Sequence, residues 1–173
     1  MNAEFPTIQK LFDQTIALQK ASEAFYSRLT ALFTYYSSEI ADFWKRFSEE
    51  DHQAAIFLET IRNRLPRERL EQIADPGIFH RVQKCLEDTL ILSGKPIDNL
   101  EEAYRIALQL EGLENHAIYE FMVLNFAPQE ITQPSGIAHL KTHERIHQLK
   151  QNLPEAFRTS AARIKINANK ENP

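Results

Sequence analysis

The sequence predicts an all-α, single-domain fold on three observations. Only 4 Gly and 8 Pro punctuate 173 residues, fewer turn formers than an all-β chain of this length needs. Apolar residues recur at three- and four-residue steps over long stretches, and no alternating strand pattern is evident. The composition, 43% hydrophobic and 25% charged, is that of a globular chain able to bury one core.

From Pro6 to about Phe33, Ile8, Leu11, Leu18, Phe25, Leu29 and Leu32 share a face and predict a first long helix. Ser37 and Ser38 offer an N-cap for a second, with Ile40, Phe43, Trp44, Phe47, Ala54, Leu58 and Ile61 on one side. Leu65-Pro66 stops it, because proline cannot continue a helix. A connection over 66–98 holds a crossover helix, Ile78 to Leu92, between Pro76-Gly77 and Gly94-Lys95-Pro96. Asp98 followed by Glu101 resembles a capping box, opening a third long helix to about Phe126. Its apolar face is Ala103, Ala107, Leu110, Ala117, Phe121 and Leu124. After Pro128, Pro134 and Gly136 a fourth helix is expected from Ile137 to Leu153. Residues 1–153 thus read as a four-helix bundle and 154–173 as a C-terminal extension, with a short helix at Glu155–Ile164.

A net charge of −4 and a pI near 5.9 give no electrostatic basis for binding nucleic acid or an anionic membrane surface. The lone cysteine, Cys85, excludes an internal disulfide and a multi-thiolate cluster. No apolar run has membrane-spanning length, and the first residues do not read as a signal peptide, so a cytoplasmic location is expected.

Carboxylates falling on apolar faces are the chemical signal, since burying a charge is costly unless it is paired or binds metal. Glu114 falls near the middle of the third helix's apolar face and Glu111 one turn earlier at its edge. On the fourth helix Glu144 and His147 continue the spacing of Ile137 and Leu140, and a Glu-x-x-His pair can share one metal ion. A buried salt bridge is the alternative for Glu114. His143-Glu144-Arg145-Ile146-His147 also spells the zinc-protease signature, with only Glu155 or Glu171 downstream as a third ligand.

From about residue 8 to 153 the chain resembles the rubrerythrin-like branch of the ferritin-like superfamily. The residues that carry this are Gln19-x-x-Ser22-x-x-Phe25-Tyr26, Phe43-Trp44 with Glu49-Glu50-Asp51, Glu111-x-x-Glu114-x-x-Ala117 and Glu144-x-x-His147. The resemblance implies a ferritin-like bundle holding one or two iron ions (or manganese), peroxidase- or ferroxidase-type oxidoreductase chemistry, an external electron donor and a homodimer. In that reading Glu144 anchors the ion, Glu111 and Glu114 cap it, His147 supplies nitrogen and Asp51 completes the set.

The chain departs from the family pattern in two places. Gln19 stands where the family has a glutamate, with Glu23 one turn on but turned from the core face. On the second helix Glu49-x-x-His52 satisfies the motif literally, yet points about 160° from the apolar face. The register that respects packing puts Asp51 in the carboxylate position and Ala54 in the histidine position. The expected site is therefore asymmetric, with one liganded position and one weak or empty one. A metal-free bundle acting as an interaction or scaffold protein is the alternative, in which arginine or protons neutralise the interior carboxylates.

Overall fold

A computed structural model describes residues 5–129 and 143–152, with the side chains of 145–151 in the last segment. Among the described residues every regular element is a helix: α1 Ile8–Phe33, α2 Ser38–Arg64, α3 Arg67–Leu70, α4 Pro76–Ser93, α5 Leu100–Glu111, α6 Asn115–Phe126 and α7 His143–Asn152. The predicted start of the fourth helix, the C-terminal extension and its short helix lie outside the described residues.

Side-chain caps begin most of these helices. Thr7, Ser37, Asp75 and Asn99 accept from the backbone N–H groups of Lys10, Ile40, Ile78 and Glu102 at 3.2, 3.4, 2.9 and 2.9 Å. The fifth helix is capped one residue later than the sequence suggests: Asn99 is the N-cap, and Glu102 accepts from the N–H of Asp98 at 2.8 Å. Pro76 stands in the first turn of α4, where its missing N–H costs nothing.

α1 and α2 form an antiparallel hairpin in contact along its length. The surface pairs Asp13–Arg62 and Lys20–Glu59 and the hydroxyl pair Ser27–Ser48 mark its register. The crossover helix α4 is a full packing member rather than an outer strap. It lies against α1, with Ile78, Val82 and Cys85 in the same apolar cluster as Ile8, Leu11, Phe12 and Leu58. Residues on either side of the bundle's end close it, through a backbone bond from Ile8 to Gln72 at 2.9 Å and one from Ala74 to Pro6 at 2.8 Å.

The predicted continuous third helix is broken. α5 ends at Glu111, Gly112 to Glu114 form a tight turn, and α6 starts at Asn115. Gly112 N–H bonds to Leu108 O at 3.1 Å and Leu113 N–H to Leu110 O at 3.0 Å, so the last turn of α5 tightens and closes on itself. Glycine lowers the cost of a stop here by about 1 kcal/mol relative to alanine. The break moves the buried face by one residue. α5 buries Ala103, Ala107 and Leu110, whereas α6 buries Asn115, Ile118, Tyr119, Met122 and Val123. Ala117 is consequently exposed, Phe121 half-buried and Leu124 66% exposed, against the face expected from a single helix.

The interior is two apolar cores separated by a polar layer. One core gathers Leu11, Phe12, Leu58, Val82, Ile118 and Met122; the other gathers Phe25, Tyr26, Trp44, Phe47, Ala103 and Leu149. Between them lie Gln19 and Ser22 of α1, Ser48 and Asp51 of α2, Glu111 and Asn115 at the helix break, and Arg145 of α7, all buried.

Candidate functional site

Each helix delivers its polar residues to this layer between two apolar ones on the same face. Leu18 and Phe25 bracket Gln19 and Ser22, and Phe47 and Ala54 bracket Ser48 and Asp51. Glu111, the last residue of α5, and Asn115, the first of α6, are both buried on either side of the break.

Arg145 occupies the centre of the layer. Its guanidinium forks onto Asp51, with Nη1 on Oδ1 and Nη2 at 3.3 Å from Oδ2. Nη2 also lies 3.3 Å from Glu111 Oε1, and Nε lies 3.7 Å from Glu50 Oε2. The guanidinium carbon sits 4.7 Å from the ring centroid of Phe47 and 5.3 Å from that of Tyr26, within cation–π range. Glu111 accepts from Tyr26 OH at 2.5 Å and from His116 Nε2 at 2.6 Å, and Asp51 Oδ2 accepts from Ser22 Oγ at 2.6 Å. Gln19 Nε2 donates to Asn115 Oδ1 at 2.5 Å.

Two buried carboxyl groups share one guanidinium, and their affinities for protons separate. Burial alone would raise Glu111, but Arg145, His116 and Tyr26 outweigh it and hold the carboxyl at about 2. Asp51 moves the other way: burial raises it above its ordinary value despite the fork from Arg145, and the charge of Glu111 adds to that. Glu50 is raised for the same first reason, burial. Burial also raises the Tyr26 phenol, which therefore donates rather than ionises, with the Glu111 charge adding to the effect. Burial disfavours the charge on Arg145, yet Asp51 and Glu111 more than compensate and keep it protonated.

The structure brings together only part of the ligand set expected from the sequence. Asp51 and Glu111 converge on Arg145, and Gln19 lies in the same layer, bonded to Asn115. Glu114 is outside it. At the surface it pairs with Arg81, whose Nε and Nη2 lie 2.9 and 3.2 Å from its carboxylate, because the helix break turns it away from the core. His147 is exposed, while Arg145 and Leu149 form the buried side of α7. The side chains of His143 and Glu144 lie outside the described residues, as do Glu155 and Glu171. Glu49 and His52 are exposed, and His52 Nδ1 bonds Glu23 Oε1 at 2.9 Å on the flank of the α1–α2 hairpin. The buried residues at this register of α2 are Asp51 and Ala54.

Arg145, His116 and Asn115 are the site residues that the ligand motifs do not single out. The signal for Arg145 was charge balance. Two carboxylates on apolar faces require a cation, and an arginine four residues before Leu149 on the last bundle helix supplies one. Among the described residues no cluster of three or more His, Cys, Asp or Glu side chains has metal-holding geometry. No helix among them is long and apolar enough to cross a membrane. No protein-family model, curated protein or solved structure matches the chain.

Proposed function

We propose that the chain is a metal-independent helical bundle of ferritin-like descent that acts as an interaction or scaffold protein, with Arg145 in place of a bound cation. The observation that carries this reading is the fork of Arg145 between Asp51 and Glu111 inside a buried layer. The donor set does not fit a divalent ion while that guanidinium stays. At about 4 Å and an effective dielectric near 20, a 2+ ion and a 1+ guanidinium repel by about 8 kcal/mol. Leu90 and Ile91, 56% and 66% exposed at the end of α4, offer apolar surface of the kind a partner protein covers.

The iron reading that the resemblance implies rests on a narrower observation, the two buried carboxylates of Asp51 and Glu111 on either side of Arg145. It requires Arg145 to leave. One experiment separates the two. The protein is purified without chelators, assayed for metal and melted anaerobically with ferrous iron or manganese. A melting temperature independent of either ion, and metal content near zero, is expected. A rise with metal concentration, lost in Glu144→Ala, overturns the metal-independent reading, because a ligand that binds only the folded state stabilises it by mass action.

A further inference from the structure

The walls around Arg145 belong entirely to the other helices. Tyr26 comes from α1, Glu50, Asp51 and Phe47 from α2 and Glu111 from α5. These walls match a guanidinium in several respects. They offer a carboxylate that accepts from two N–H groups, a second carboxylate beside one of them, and a third 3.7 Å from Nε. Two aromatic rings lie within 5.3 Å of the flat cation. Nε is buried with no hydrogen-bond partner among the described residues, so the walls hold the guanidinium through its two Nη groups. Two buried carboxylates flank the guanidinium, and that of Glu50, an exposed residue, lies farther out, beside Nε. By contrast α7 buries just Arg145 and Leu149 among its described side chains.

We propose that this layer is a binding site for a monosubstituted guanidinium, filled in cis by Arg145 and able to take the same group in trans from a small guanidine or an arginine-bearing helix. α7 is then an internal ligand, and the bundle formed by α1, α2, α5 and α6 is its receptor. The idea rests on the metal-independent reading above, since both give the cation's place to a guanidinium.

The test is chemical rescue of the full-length Arg145→Ala protein in excess chelator, which keeps its outcome separate from the metal titration. Four ligands are compared in thermal melts: methylguanidinium, methylammonium, the peptide spanning residues 143–152, and that peptide with alanine at 145. About 10 mM methylguanidinium should raise the melting temperature of Arg145→Ala by about 3–5 °C. It should leave the wild type, whose own arginine fills the site, unmoved. The arginine peptide should do the same and the alanine peptide should not. Rescue by the small guanidine alone or by the peptide alone also supports the site and identifies which source reaches it. If Arg145→Ala does not fold unaided, recovery of its helical circular dichroism during the same titration is the readout. Equal rescue by methylammonium reduces the effect to charge and overturns the proposal, and so does absence of rescue by both guanidinium sources. Adding Glu111→Gln to Arg145→Ala should weaken the methylguanidinium response several-fold.

Discussion

Removing the charge at Glu111 should flatten the acid limb of the stability curve. Glu111 is held near 2 in the folded chain against an ordinary value of 4.5, a difference of about 2.5 pKa units. Each unit is worth about 1.4 kcal/mol, so the ionised carboxylate contributes about 3–3.5 kcal/mol, undiminished by solvent because the side chain is 3% exposed. A lowered carboxyl stabilises fully above its unfolded value and loses that contribution as pH falls through its folded value. The wild type should therefore lose about 3 kcal/mol from this group between pH ~5 and ~2. Asp51 acts with the opposite sign. Its folded value is raised, so protonating it favours the native state, and the stability it adds grows as pH falls from above its folded value toward its unfolded one. Urea unfolding at half-unit pH steps, for wild type and Glu111→Gln, isolates the Glu111 contribution by subtraction. The two curves should converge toward pH 2 and separate by about 3–3.5 kcal/mol at pH 6. Parallel curves would refute the assignment of Glu111 as the ionised, hydrogen-bonded partner of Arg145.

Arg145→Met should destabilise by about 3–5 kcal/mol, because it leaves Asp51 and Glu111 buried without a counter-charge. Adding Asp51→Asn and Glu111→Gln should recover most of that loss in urea titrations. Gln19→Glu adds another carboxylate beside Asn115 and should lower the melting temperature at pH 7, with a smaller drop at pH 5, where protonation relieves it. Differential scanning calorimetry at both pH values checks this. Met122→Ala should cost about 2–5 kcal/mol and Leu124→Ala less than about 0.5 kcal/mol, in the order set by the helix break. A larger loss for Leu124→Ala than for Met122→Ala would mean that α5 and α6 form one straight helix.

Much of this architecture was legible in the chain before folding. Periodicity marked the extents of α1, α2 and the crossover helix closely, because each is long and capped by Thr7, Ser37 or Asp75, and the last two are closed at Leu65-Pro66 and Gly94. The same reasoning placed Asp51 rather than Glu49 or His52 inside, since the opposite choice would have exposed Phe47 and Leu58. It also identified Glu111 as an interior carboxylate candidate and recognised that such a group must be neutralised. These are one-dimensional facts: a helix face is a property of its own residues.

Other features belonged to tertiary structure alone. The interruption at Gly112 to Glu114 shifts the buried face by a residue, so Glu114 meets Arg81 and His116 reaches back to Glu111. Local propensity tolerates a glycine inside a helix, and only the packing of α5 and α6 against different neighbours decides for a break. The cation's identity was likewise set in three dimensions. Arg145 stands beside a Glu-x-x-His motif, and which face of α7 turns inward depends on where the rest of the bundle places Asp51 and Glu111. A buried carboxylate announces a need for positive charge in the sequence, while the group that meets that need is chosen by distance, across helices the sequence lists far apart.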